Sequence, residues 1–163
     1  MKLDTILVPL DGSQLAESAL PKAIELCQGP GARVLLVRAT EAHRLPGVDL
    51  TDAQVEVVSE AEAYLGQVAE RLRAQGIGKV ETSVWYGPAP YAIVEGARLH
   101  QADLIVMTTH GRSGLGRLIL GSVAESVLRG TTTPILLLRA PEAPLAPLPG
   151  PGEAVPWLGP MGV

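Results

Sequence analysis

The chain has 163 residues, of which 47% are hydrophobic and 18% charged, with a formal net charge of −4. That describes one folded domain with room for a real core, and it gives no bulk electrostatic reason to expect nucleic acid or an anionic membrane as partner. No apolar run reaches the roughly 18–20 residues needed to span a bilayer, the opening MKLDTILVPLDGS is not patterned as a signal peptide, and a single cysteine, Cys27, excludes an intrachain disulfide; together these favour the cytoplasm.

Residues 3–10 form a compact apolar run ending at Asp11-Gly12-Ser13, which reads as a strand and a turn. Ser13 or Asp11 caps the helix that follows, with Glu17 in its early turns. Leu15, Ala19, Ala23 and Leu26 or Cys27 make its apolar stripe, Pro21 kinks it, and Gly29-Pro30-Gly31 ends it. Residues 33–39, RVLLVRA, predict a second buried strand, and residues 41–50 a loop. Thr51 or Asp52 then caps a long helix to about Gln75, with Val55, Val58, Ala61, Leu65, Val68 and Leu72 on one face. A third strand alternates over 80–86, a short helix covers 90–100, and a fourth strand covers 104–107. The last helix is expected over 121–129 and the fifth strand over 134–139, PILLLR.

Strands alternating with helices predict a parallel sheet with right-handed crossovers. Ligands of such sheets bind outside the carboxyl ends of the strands, where the strand order reverses. Between the fourth strand and the last helix lies the segment THGRSGLGRLILGS. It sets Gly111, Gly114 and Gly116 within six residues and then Gly121-Ser122 at the helix start. No acidic residue occurs from Leu104 to Ala124, while His110, Arg112 and Arg117 do. Glycines let backbone N–H groups approach an anion, and a helix N-terminus adds free N–H groups and a partial positive charge. The segment is not a Walker A loop, because no Gly-Lys-Ser/Thr follows, and its G-x-x-G-x-G order is not a Rossmann fingerprint. Ser122 is the expected N-cap of the last helix, and Cys27 an expected core residue. His43, His100 and His110 are too dispersed in the chain to suggest a metal cluster.

Residues 140–163 differ from the rest: they hold seven of the chain's 14 prolines and two charges, so neither regular helix nor central strand fits them. Composition alone reads as a disordered tail; the alternative is an extended strap, with Trp157 and Leu158 docking on a partner subunit or on the parent domain.

Two separated blocks, ILVPLDGS with AESAL at the front and THGRSGLGRLILGSVAESVLR with TPILLLR at the back, resemble the universal stress protein family over about residues 3–139. The resemblance implies an α/β, Rossmann-like domain of the adenine nucleotide alpha hydrolase-like type over residues 1–140. Its five-stranded parallel sheet would have the order 3-2-1-4-5, with helices on both faces and residues 141–163 as a Pro-rich tail. The family's ATP pattern is Gly, two residues, Gly, nine residues, Gly, then Ser or Thr. Gly111, Gly121 and Ser122 match it; its first position falls on Thr108, a small residue read as a tolerated variant.

Carried over residue by residue, the resemblance places Asp11 against the adenosine and Pro9 and Leu10 on the same pocket wall. It places Arg38 where the second strand touches the adenine, and Met107 beside the base. Gly111, Gly121, Ser122 and Val123 would offer N–H groups to the phosphates, Ser122 also its hydroxyl, with His110, Arg112 and Gly114 in the same loop. ATP, with Mg²⁺ or Mn²⁺ between its phosphates, is the implied ligand. The apolar edge strand 134–139 is the implied homodimer contact. No positioned nucleophile or general base is evident, so a nucleotide-binding stress-response switch is expected rather than an enzyme, with slow hydrolysis at most. The alternatives are an ATP-independent dimeric partner-binding module and a true ATPase or phosphotransferase.

Overall fold

The computed structural model describes residues 2–42, 47, 49–109 and 120–139. The elements run β1 (Thr5–Pro9), α1 (Gln14–Glu17), α2 (Leu20–Leu26), β2 (Arg33–Thr40), α3 (Leu50–Ala74), β3 (Val80–Tyr86), α4 (Ala89–Leu99), β4 (Leu104–Thr108), α5 (Ser122–Gly130) and β5 (Ile135–Leu138). The five strands form one parallel sheet in the order β3-β2-β1-β4-β5, as expected.

Alternation along the strands sends side chains to two cores. Ile6, Val8, Val34, Leu36 and Val106 pack under α1, α2 and α3. Leu7, Leu35, Val37, Ile105 and Met107 pack under α4 and α5. Strands apolar on both faces are what a sheet covered by helices on both sides requires.

The expected first helix is two helices. Ser13 caps α1, its hydroxyl accepting from the Ala16 N–H at 3.1 Å. The chain breaks at Ser18-Ala19, and Pro21 stands in the first turn of α2, where its missing N–H costs no helical bond. Gly12, at φ +86°, allows the turn from β1 into α1. Cys27 is the C-cap of α2, half-buried against the core, and burial pushes its thiol pKa up.

The cap of α3 is Asp49, which accepts from the Thr51 N–H at 2.7 Å; neither Thr51 nor Asp52 takes that role. Val55 is exposed rather than on the buried stripe, which starts at Ala61. The reason is length: 25 helical residues rise about 37 Å, whereas the eight residues of β2 span about 26 Å, so the first turns of α3 overrun the sheet. At its far end Gly76 (φ +92°) closes the helix, with N–H bonds from Gly76 to Arg73 O and from Ile77 to Leu72 O.

The amino edge of the sheet is fastened by two charged residues. The Asp103 carboxylate accepts from the backbone N–H groups of Asp4 and Thr5, both at 2.9 Å. The Arg33 guanidinium donates to Thr5 Oγ1, Glu81 Oε1 and the His100 carbonyl at 2.9–3.0 Å, tying β1, β3 and the end of α4 to β2. Among the described residues, no helix is long and apolar enough to cross a membrane.

Candidate functional site at the switch point

The strand order reverses between β1 and β4. From β1 the chain crosses to β2 on one side, and β4 leads to β5 on the other. The β1–β2 ladder runs to Pro9↔Val37, but the β1–β4 ladder stops at Leu7↔Ile105. The two central strands therefore part near their carboxyl ends, which opens a crevice where this class of sheet binds ligands.

The β4 side of the crevice is built from backbone. Thr109 continues β4, donating its N–H to the Leu138 carbonyl at 2.9 Å. Its own carbonyl accepts from the Gly121 N–H at 2.7 Å, which fixes the start of α5 on the end of β4. Gly121, not Ser122, is the N-cap of α5; Ser122 is its first helical residue, and the cap makes no side-chain hydrogen bond. The Gly121 N–H is thus engaged and is not a phosphate donor, contrary to expectation. The first intrahelical bond runs from Glu125 N–H to Gly121 O. That leaves the amides of Ser122, Val123 and Ala124 without a partner among the described residues, the donors a helix N-terminus offers to an anion. Ser122 is exposed, while Val123 packs against the α4–α5 core.

The β1 side is built from side chains. Asp11 is half-buried, and its Oδ1 accepts from the Ser13 N–H at 2.9 Å and from the Ser13 hydroxyl at 2.5 Å. Asp11 thereby orients the residue that caps α1. Beside it, Glu17 of α1 accepts from the Tyr64 hydroxyl at 2.8 Å and from Arg71 at 2.6 Å, both on α3. The Arg38 guanidinium of β2 lies 4.8 Å over the Tyr64 ring centroid, a cation–π contact. Burial pushes the Tyr64 hydroxyl pKa well above the ordinary tyrosine range, reinforced by the bond to Glu17 and its charge.

The carboxyl ends of β1 and β4 and the start of α5 thus bring Pro9, Asp11, Met107, Gly121, Ser122 and Val123 to one edge. Leu10 is a core residue, buried under α1–α3, and what it adds at the crevice is its backbone, with its N–H on the Val37 carbonyl at 2.8 Å. Met107 is buried in the α4–α5 core, and Arg38 turns its side chain onto Tyr64. Thr108 is 7% exposed at the end of β4, opposite Leu138, so its side chain is packed. His110, Gly111, Arg112 and Gly114, and the tail 141–163, lie outside the described residues. Among the described residues no three His, Cys, Asp or Glu side chains converge to hold a metal. The Glu17–Tyr64–Arg71 cluster was missed in the sequence because its members lie about 50 positions apart and Glu17 reads as an ordinary helix charge.

A doubly wound parallel sheet whose strand order reverses between β1 and β4 defines the class of open α/β domains. Comparison with known proteins narrows that class. The model of the universal stress protein family matches residues 2–139, and the chain belongs to that family. Universal stress protein MJ0531 of Methanocaldococcus jannaschii is 32% identical over 141 residues, covering 84% of this chain and 82% of its own. The solved structure of hypothetical protein MJ0577 superposes with a TM-score of 0.76 at 25% identity, over 85% of this chain and 97% of that one. A universal stress protein solved in complex with cAMP shares the fold, with a TM-score of 0.67 at 24% identity, over 86% of this chain and 99% of that one.

Proposed function

We propose that this domain binds an adenine nucleotide, ATP foremost, in the β1–β4 crevice and works as a nucleotide-dependent stress-response switch in the cytoplasm. The observation that carries the reading is the run of three amides, Ser122 to Ala124, unpartnered among the described residues, directly after a glycine-rich stretch of sequence without acids. These amides and the Ser122 hydroxyl would hold phosphate oxygens, and Asp11 would receive ribose hydroxyls. Mg²⁺ or Mn²⁺ would then be held by the phosphates themselves and neutralise their charge. The cAMP complex of a structural relative supports an adenine nucleotide as a ligand that this fold accommodates. The burial of Thr108 supports its being tolerated where the family has Gly, since its side chain is not free to fill the crevice.

Binding, rather than turnover, is the activity proposed, and the unit is a homodimer paired through 134–139. β5 is the outer strand of the sheet beside β4 and its residues are half-exposed, which leaves apolar surface for a twin. Calorimetric titration of the nucleotide-stripped protein with ATP and Mg²⁺ tests the reading. Saturable binding near one ATP per chain is expected; no saturation at millimolar ATP overturns it in favour of an ATP-independent partner-binding module.

A further inference from the structure

We propose that Arg38 seats a second anion at the candidate site, so that the crevice takes an adenine nucleotide carrying a phosphate on its ribose in addition to its 5′-phosphates. The inference rests on the adenine-nucleotide reading above. Arg33, Arg71, Arg73, Arg98 and Arg129 each donate to a carboxylate. The Arg38 guanidinium is half-buried and donates to no acceptor among the described residues; it rests on the face of the Tyr64 ring, 4.8 Å from the centroid. The carboxylates of that corner are engaged elsewhere. Glu17 uses both oxygens, on Tyr64 and Arg71, and Asp11 Oδ1 takes both Ser13 donors. Tyr64 is itself fixed by its bond to Glu17. The guanidinium is therefore preset in a partly desolvated place with its fork of donors unspent among the described residues. Such a fork matches the paired oxygens of a phosphate or carboxylate.

Its position in the sheet says which anion. Val34 and Leu36 put their side chains into the core beneath α3, and Arg38 continues that face one residue past the last β1–β2 pair, Pro9↔Val37. That is level with Leu10, whose N–H bonds the Val37 carbonyl, and Asp11 follows. The charges of Arg38 and Asp11 both act on the Tyr64 hydroxyl, in opposite senses, which sets the two groups around one ring. The helix-start amides of α5 stand beside the end of β4, two strand spacings or roughly 10 Å from β2. A nucleotide held at those amides by its 5′-phosphates, with one ribose hydroxyl on Asp11, brings its other ribose oxygen toward β2. Doubly wound sheets that bind dinucleotides divide the work in the same way: a carboxylate takes a ribose hydroxyl, and a nearby arginine accommodates a ribose phosphate. Adenine itself is the poorer partner for the fork, because its N7 acceptor stands beside the N6 amino donor, whereas a phosphate or the O6/N7 edge of guanine sets acceptors side by side.

The test is calorimetry of the nucleotide-stripped full chain with adenosine 5′-monophosphate, adenosine 3′,5′-bisphosphate and adenosine 2′,5′-bisphosphate, with ATP titrated alongside. One of the two bisphosphates is expected to bind roughly tenfold or more tighter than the monophosphate, the worth of a charge-assisted contact. In Arg38→Met that ratio should fall to within about twofold; taking the ratio cancels any loss common to both ligands. Arg38→Lys keeps the charge but not the fork and should hold an intermediate ratio, and it is the variant to read if Arg38→Met does not fold. Saturation by ATP with neither bisphosphate gaining on the monophosphate overturns this proposal alone, whereas saturation by no nucleotide overturns it together with the adenine-nucleotide reading. A gain that survives Arg38→Met overturns the assignment to Arg38. Guanosine 5′-monophosphate binding tighter than its adenosine counterpart in the wild type but not in Arg38→Met gives the fork to a base edge and overturns it as well.

Discussion

At the amino edge of the sheet, Asp103 and Arg33 use their charged groups on backbone N–H, carbonyl, hydroxyl and carboxylate partners of neighbouring elements. At the carboxyl edge, β4 and α5 present three backbone amides that meet nothing among the described residues. Both edges belong to the same five strands, so the difference lies in how the ends are finished. One edge is closed by side chains that satisfy the fold, and the other leaves three helix-start amides unpartnered among the described residues. Substitutions at the first edge should therefore move stability with little change in affinity, and substitutions at the second the reverse.

The largest effect is expected from Gly121→Asp. A carboxylate at the start of α5 repels bound phosphates, and like charges brought together in a binding site cost several kcal/mol, about 100-fold or more in affinity. Calorimetry should show the loss, and an unchanged thermal midpoint within a few degrees should show that the fold survives, since an acidic group at a helix start is itself favourable. Next is Asp103→Ala at the opposite edge. It strands two backbone N–H groups that now meet a carboxylate, with a cost of about 2 kcal/mol, and urea denaturation should show it while ATP affinity stays within about twofold.

The smallest and most diagnostic is Tyr64→Phe, on the β1 side of the crevice. Loss of the hydroxyl bond to Glu17 should cost about 1 kcal/mol at neutral pH; the accompanying Arg71–Glu17 pair contributes less, because its arginine is largely exposed. The cost should also depend on pH. The folded-state pKa of Tyr64 lies above that of a free tyrosine, about 10, so its contribution is complete below that pH and is lost as pH rises through the folded value. Stability curves of wild type and variant should run parallel up to about pH 10 and converge above it.

The architecture was legible in the sequence because every strand except β3 is a run of apolar residues that two helical layers must cover, and β3 alternates at the edge. Period and punctuation sufficed for the order of elements. The caps were less legible. Asp49 and Gly121 were displaced by nearby Thr51 and Ser122, residues of equally good capping type, and the choice among them depends on backbone angles that spacing does not reveal. Pro21 was expected to kink a single helix; instead the chain breaks at Ser18-Ala19 and Pro21 stands in the first turn of a second helix. In the candidate site, the glycine pattern and the helix period put Gly121 and Ser122 at the start of the last helix, where α5 begins. The roles that depend on where a side chain turns were not legible. Arg38 lies on Tyr64, Met107 lies in the core, and Glu17 bridges α1 to α3, none of which local sequence encodes.

The bond from Gly121 N–H to Thr109 O joins residues twelve positions apart at 2.7 Å. It holds the two ends of the 110–120 segment together from the sheet side, whatever that segment contains. Since loop length enters closure entropy only logarithmically, about 0.6 kcal/mol per doubling, the segment is a replaceable cassette. A change in its length should therefore cost β4, α5 and the two cores beneath them little stability.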